Sequence, residues 1–414
     1  MAERVGSELS RLASLARVAA RVLPVDTNPV PRSWTHLTKV DPEDAKRLPL
    51  LYPRYLRHTD AVAVGGSTAV TSTNTETTFE LLAAVDPPVF HEPSGPTHVT
   101  ARTLDAAAFV AIPQVLNGSP AAFVGDLGAG IERVREELAP SLVAEGVPSW
   151  TPASVRDRLA DAATAWLLET AVFEAYLVQN PASAAAREAG VDATDVLSPA
   201  EARRRAMVAD RYLRSPVVYV EYSGSFGGSD ARRVLEAVRT GVSRSQVWYG
   251  GGLASRTDAR TMLEAGADAV VVGDAFHDVA TEETALFERA RDALVPDAPR
   301  ARVDEWLAGQ VRWVDTAAAA YLSTGPTVAD PPATARELLV DTVTVWLRLR
   351  SLAERSTAPP VAALDRVVAA AGVRSGDVVD DATRRWARAA FGAVDGATDP
   401  LATRLSPAAS DPCS

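Results

Sequence analysis

Apolar positions along this chain change texture at Trp34. Beyond it, short β-branched runs alternate with stretches in which apolar side chains recur every three or four residues. Period two marks strands and period 3.6 marks helices. Eight strand candidates follow: Thr35–Val40, Ala61–Val64, Val89–Glu92, Phe109–Pro113, Glu174–Val178, Val217–Tyr222, Gln246–Tyr249 and Ala269–Val272. Helical patterns lie between most of them, as at Glu76–Ala84, Ala200–Leu213, Asp230–Val238 and Arg256–Ala265. The runs at Val217–Val220 and Ala269–Val272 are almost wholly apolar, as parallel strands covered on both faces must be. The alternation occupies 246 residues, 35–280, and a (β/α)8 barrel takes about 250. An open doubly wound sheet is the alternative, but its G-x-G-x-x-G turn after the first strand is absent.

The flanks read as helical. Residues 8–23 space Leu9, Leu12, Leu15, Val18 and Leu23 on a helix, and Pro24, Pro29 and Pro31 end it. The long gap between the fourth and fifth strands holds helical patterns at Ile131–Leu138 and Val155–Leu168. After about residue 295 strand texture stops. Val303–Val314, Ala333–Arg355, Val361–Ala371 and Ala382–Phe391 read as helices. The third-to-last of these regions, Arg336–Glu354, carries Leu339, Val343, Trp346, Leu347 and Leu349 on one stripe. That stripe fits a packing helix better than a membrane or partner surface. The expected division is an N-terminal helical extension (1–33), a TIM-barrel domain (34–294) with a helical insert near 135–170, a helical C-terminal extension (295–395), and a disordered tail (396–414).

Composition narrows the partners. The chain has 414 residues, 47% hydrophobic and 23% charged, with a formal net charge of −11. That is a globular composition, and it argues against a nucleic-acid binder, which needs a basic face. No apolar run approaches the ~20 residues that span a bilayer. The one cysteine, Cys413, forms no internal disulfide, so a reducing, cytoplasmic setting is expected. Arginine supplies 40 of the 42 basic residues; Lys39 and Lys46 are the only lysines.

In a barrel the chemistry sits where the strands end C-terminally. Strand one ends His36-Leu37-Thr38-Lys39-Val40-Asp41-Pro42. Lys39 and Asp41 are two apart and so point to one side. Asp41 offers oxygen to Mg²⁺, and Lys39 a cation to a phosphate; a structural ion pair at the barrel mouth is the bland alternative. Strand two ends Gly65-Gly66-Ser67, and Ser67 offers a hydroxyl. Strand three ends in Glu92, which either points into the pocket or pairs with a neighbour. Strand six places Tyr219 and Glu221 on one face and Tyr222 on the other. A glutamate in so apolar a strand is a candidate base. Strands seven and eight end Gly250-Gly251-Gly252 and Gly273-Asp274. Glycines there let a phosphate approach the backbone amides.

Together these segments, with Glu92-Pro93-Ser94, Leu116-Asn117, Asn180-Pro181 and Tyr219-Val220-Glu221-Tyr222-Ser223-Gly224, resemble the geranylgeranylglyceryl/heptaprenylglyceryl phosphate synthase family of TIM-barrel prenyltransferases. The resemblance covers about 240 residues. It implies Mg²⁺-dependent transfer of a polyprenyl group from its diphosphate to a hydroxyl of a phosphorylated three-carbon acceptor, of the sn-glycerol 1-phosphate type. By this match Asp41 and Ser67 hold the metal, and Glu221 is the base. Lys39, Tyr219, Val220, Glu221, Tyr222, Ser223 and Gly224 meet the acceptor, and Gly252, Gly273 and Asp274 its phosphate. The partners implied are the two substrates, a membrane touched peripherally through the product, and a second copy in a homodimer. Two positions depart from the family pattern: Asp274 stands where Asn is usual, and Ala69 where Gly is common. A second reading keeps the donor and changes the acceptor, to 3-phosphoglycerate or an indole. A third is a non-catalytic barrel serving assembly.

Overall fold

The computed structural model describes residues 28–355, except 44–46, 67 and 84. Residues 8–23, Lys46, Ser67 and the helices expected at Val361–Ala371 and Ala382–Phe391 lie outside them.

From Arg32 onward the described residues form one compact unit. Its centre is eight parallel strands: β1 (His36–Val40), β2 (Ala61–Val64), β3 (Val89–His91), β4 (Ala111–Val115), β5 (Val172–Val178), β6 (Val217–Glu221), β7 (Gln246–Gly250) and β8 (Ala269–Val272). They follow the order β3-β2-β1-β8-β7-β6-β5-β4. The seam between β3 and β4 is closed by a bridge from His91 to Val110. The (β/α)8 barrel expected from the alternation is therefore present, as a nearly closed cylinder.

Strand pleating assigns the side chains. Val62, Val64, Val218, Val220, Val270 and Val272 face the helices and join the apolar shell. The alternate positions face inward. At the N-terminal end Trp34 stacks on Phe90 and Phe109, at centroid distances of 6.2 Å each. Phe90 meets Trp248 at 6.1 Å, and Trp248 meets Tyr219 at 6.4 Å. These rings fill the barrel floor, so polar groups above them cannot drain to bulk water from below.

Two elements differ from the pattern-based expectation. β4 begins two residues later than the apolar run at Phe109–Pro113, because Phe109 is spent on the ring stack, 4.8 Å from Phe90, and pairing starts at Ala111↔Val172. The helix expected at Val303–Val314 ends early: Arg300–Ala308 stops at Gly309, and Trp313–Asp315 is a separate 3₁₀ turn. The β4–β5 crossover is helical, at Asp126–Arg133, Ala139–Gly146 and Ala153–Thr170, with π-helical turns before and after the first.

The C-terminal helices pack on the outside of β1. Tyr321, on the helix Ala317–Thr324, is 1% exposed and shares a 2.9 Å hydrogen bond with Thr38. His36 lies 2.9 Å from Thr324. The helix Pro331–Arg355 buries Leu339, Val343, Trp346 and Leu347, with Trp346 stacked flat on Phe287 at 4.9 Å. The apolar stripe is thus a packing face.

Candidate active site

A cavity of about 650 Å³ opens at the C-terminal ends of the strands. It joins a polar mouth to an apolar arm. Lys39, Asp41, Glu92, Tyr176, Tyr219, Glu221, Ser223, Gly224, Gly252, Gly273 and Asp274 line the mouth, whereas Val110, Ile112, Leu127, Ile131, Leu138 and Leu167 line the arm. The arm runs beside the weakly paired β3–β4 seam, against the crossover helices.

Nine of the twelve residues assigned roles by the family match therefore converge on one space, with Glu92 beside them. Val220 and Tyr222 do not line it. In a strand, neighbours alternate in direction, so the inward Tyr219 and Glu221 turn Val220 back into the helical shell, where it is fully buried. Tyr222 follows it outward and hydrogen-bonds Asp230 at 2.9 Å. Its part in the site is indirect: Gly251 lies against its Cβ and carbonyl.

The glycine run is shaped for close approach. Gly251 has φ 153° and Gly252 φ 50°. A Cβ at Gly252 would strike the backbone of Ser225 and Phe226. Gly273 starts the 20-residue helix Asp274–Ala293 without a side-chain cap. Gly273 and Asp274 line the mouth, so the helix begins there, and a helix N-terminus favours an anion. A Cβ added at Gly273 would lie 3.7 Å from that of Lys39, so cation and helix end border one volume.

Glu221 is 2% exposed. Its Oε1 accepts the Ser223 N–H at 3.0 Å, while Oε2 is buried without a hydrogen-bond partner. Burial pushes its pKa up, and the Ser223 contacts and Lys39 pull part of that back. Glu221 lines the cavity, and a carboxylate with one oxygen free of partners has the capacity to accept a proton. Lys39 balances opposing effects. Burial pulls it down, yet Glu92, Asp41 and Glu221 outweigh this and hold it above the ordinary lysine value.

Asp41 is the oxygen donor of the mouth. It is 3.6 Å from Arg47 and 3.6 Å from His277 Nδ1. Burial raises its pKa against the pull of Lys39 and Arg47. His277 is held down to about 4, mainly by burial, and so is neutral at pH 7. Among the described residues no group of three or more His, Cys, Asp or Glu side chains forms a metal cage. One carboxylate at an open polar mouth is a donor of the kind Mg²⁺ takes, since that ion keeps several waters and needs few protein oxygens. Gly66 packs against this carboxylate, since a Cβ there would lie 3.0 Å from Asp41 Oδ1.

Sequence reasoning passed over two buried groups in β5. Tyr176 stacks on Tyr219, 4.5 Å between centroids and 7° from parallel. Glu174 is fully buried with both carboxyl oxygens lacking hydrogen-bond partners. Burial, reinforced by Glu92, holds its pKa well above the usual range. The signal was available: Glu174 interrupts the apolar strand Val172–Val178 as Glu221 interrupts Val217–Glu221.

Known proteins resemble this chain along the length of the barrel. Residues 31–291 match the PcrB family. The geranylgeranylglyceryl phosphate synthase of Methanoregula boonei is 31% identical over 247 residues, 60% of this chain and 92% of its own length. The heptaprenylglyceryl phosphate synthase of Brevibacillus brevis is 28% identical over 251 residues, 60% and 91%. Among solved structures, (S)-3-O-geranylgeranylglyceryl phosphate synthase from Thermoplasma acidophilum, in complex with its substrate sn-glycerol-1-phosphate, aligns with TM-score 0.42 and 23% identity over 59% of this chain and 86% of that one. Because the family model spans more than half of its residues, the chain belongs to the PcrB family.

Proposed function

We propose that this chain is a Mg²⁺-dependent prenyltransferase that moves a polyprenyl group from its diphosphate to a hydroxyl of a small phosphorylated acceptor. The observation that carries the reading is one cavity in which a long apolar arm meets an anion-binding mouth containing an unpaired, buried carboxylate oxygen. A prenyl chain fits the arm; its diphosphate and the acceptor share the mouth.

The chemistry balances on these residues. The allylic carbon–oxygen bond to diphosphate breaks, and the acceptor oxygen forms the new ether bond. Glu221 takes the hydroxyl proton through Oε2. Gly252, Gly273 and the helix beginning at Asp274 hold the acceptor phosphate, and Lys39 meets the acceptor. Asp41, with Ser67 from the neighbouring turn, would hold Mg²⁺, which when bound offsets negative charge growing on the leaving diphosphate. The aromatic floor keeps out water, which would otherwise capture an allylic cation.

Asp274 favours a second reading of the acceptor. Its carboxylate stands at the phosphate end of the mouth and raises the pKa of Asp41 across it. An acceptor such as 3-phosphoglycerate or an indole is the alternative. The test is the purified chain with Mg²⁺, allylic diphosphates of several lengths and each acceptor, products read by mass spectrometry. Prenyl ether from glycerol phosphate supports the first reading. Turnover only with another acceptor, or tighter glycerol phosphate binding by Asp274→Asn, supports the second. No product with any pair makes the barrel non-catalytic and sinks both.

A further inference from the structure

Glu92 takes no part in the steps above, yet it ties them together. Its Oε1 lies 2.7 Å from Lys39 Nζ and also accepts the Tyr176 hydroxyl. Tyr176 is stacked flat on Tyr219. One carboxylate oxygen on the segment after β3 thus links β1, β5 and, through the stack, β6. Glu92 is 5% exposed and the two rings are comparably buried.

The site of this link is informative. β3 is bound on one side by β2, and on the other by the bridge from His91 to Val110 and a bond from the Ala108 N–H to the Val89 carbonyl near its start. The ladder therefore constrains its C-terminal end weakly. Glu92 is anchored instead by its N–H to Val64 at 2.8 Å and by Gly65, where a Cβ would strike the Glu92 carbonyl. Stability is a poor reason for the arrangement, since a buried ion pair returns little beyond what an apolar replacement of similar volume would give. What the pair does supply is geometry: without Glu92, Lys39 would be a flexible ammonium free to swing toward Asp41 or Glu221.

We propose that Glu92 is a positioning residue, whose carboxylate holds the Lys39 ammonium and, through Tyr176, the ring of Tyr219 in place on the acceptor side of the cavity. The proposal rests on the prenyl-transfer reading for its substrates. The groups facing Lys39 are Asp41 on its own strand, Glu92 after β3, Glu174 and Tyr176 on β5, Tyr219 and Glu221 on β6, and Asp274 after β8. Glu92 is the only one of these in hydrogen-bond contact with Nζ among the described residues.

The experiment compares wild type with Glu92→Gln, Glu92→Asp and Tyr176→Phe by acceptor and donor kinetics and calorimetric binding of sn-glycerol 1-phosphate. In Glu92→Gln the acceptor KM and calorimetric Kd should rise about 10- to 100-fold, the range for a hydrogen bond to a charged group. The donor KM should stay within about twofold, well under the 1.4 kcal/mol of a tenfold change. Glu92→Asp should recover part of the loss, and Tyr176→Phe should raise the acceptor KM a few-fold. Unchanged acceptor binding in folded Glu92→Gln would overturn the proposal. So would an equal loss for donor and acceptor that Glu92→Asp does not relieve, which is a packing defect. If Glu92→Gln does not fold, Tyr176→Phe decides: wild-type acceptor KM overturns the link. Wild type binding sn-glycerol 1-phosphate without turnover would fail the prenyl-transfer reading and leave the binding arm of this test standing.

Discussion

A carboxylate acts as a base only while ionised. Burial raises the Glu221 pKa, so the acid limb of kcat/KM should lie above the value near 4.3 of an ordinary glutamate. Activity should rise with pH through that limb. Glu221→Gln keeps the shape and removes the base, and should lower kcat about 100- to 10,000-fold while donor binding persists; a loss under tenfold would assign the proton elsewhere. Glu174 makes the opposite kind of prediction. Its folded-state pKa is raised, so the folded chain holds a proton that the unfolded chain gives up. Its contribution to stability is full below the unfolded glutamate value and is lost as pH rises through the folded value. Glu174→Gln, neutral at every pH, should therefore melt like wild type near about pH 4 and increasingly above it toward about pH 9. Melting curves that stay parallel across that range would show that Glu174 is ionised in the fold. These two glutamates also show what a sequence makes legible. Each breaks an apolar strand, so each announces itself; but Glu221 ends β6 and runs straight into Tyr222-Ser223-Gly224, whereas Glu174 lies near the start of β5, well before Asn180-Pro181. The Lys39–Glu92 pairing could not be read at all, because 53 residues separate the two and only barrel closure brings them within 2.7 Å.

The strands were legible where both of their faces are apolar. β2, β6 and β8 were visible because inward and outward positions are both largely apolar, with valines on the outer face, which no amphipathic helix tolerates. The helix Ala317–Thr324 was not visible. Its core stretch, Ala317-Ala318-Ala319-Ala320, has no polar face to set a period, and its start is set by Thr316, whose side chain accepts the Ala319 N–H at 3.1 Å. The turn after β2 carries a strain that the chain's departure from its family foreshadowed. Ala69 has φ 50°, a left-handed backbone that costs an L residue about 1–2 kcal/mol. Its carbonyl is held by Asn74 Nδ2 at 2.8 Å, and Asn74 in turn completes the capping box of the helix Ser72–Leu82 with Thr71. The cap therefore fixes the strained residue. Ala69→Gly removes the clash but adds unfolded-state entropy of about 0.5–1 kcal/mol. The net expectation is a gain of up to about 1 kcal/mol in chemical denaturation, with m unchanged. A loss of stability would mean that the methyl group is packed rather than strained.

At the scale of the molecule, the match to the family ends at residue 291, but the structure does not treat the residues beyond it as an appendage. Tyr321 fills a recess behind β1 made by His36, Thr38, Tyr55 and Phe276, with Phe276 at 5.1 Å and Tyr55 and His36 at 6.2 Å each. Asp341 then clasps the early part of the barrel domain and the C-terminal helix Arg300–Ala308 together, receiving Arg54 at 2.7 Å and Arg300 at 2.6 Å. A buried aromatic with this many neighbours is worth about 3–5 kcal/mol on truncation. Tyr321→Ala should therefore lower stability by about that amount, and Tyr321→Phe, which removes only the hydrogen bond to Thr38, by about 0.5–1.5 kcal/mol. Because Thr38 faces outward while Lys39 faces the cavity, neither change should move the acceptor KM while the protein is folded. A chain ended at residue 294 removes the whole cover. It exposes Tyr55 and Phe276 and leaves Arg54, 13% exposed in the intact chain, without its buried carboxylate. That chain should be insoluble, or should melt well below the Tyr321→Ala variant. Were it to fold with the melting temperature of the full chain, the helices after residue 294 would be passengers on a self-sufficient barrel, and the recess behind β1 would have to close by other means.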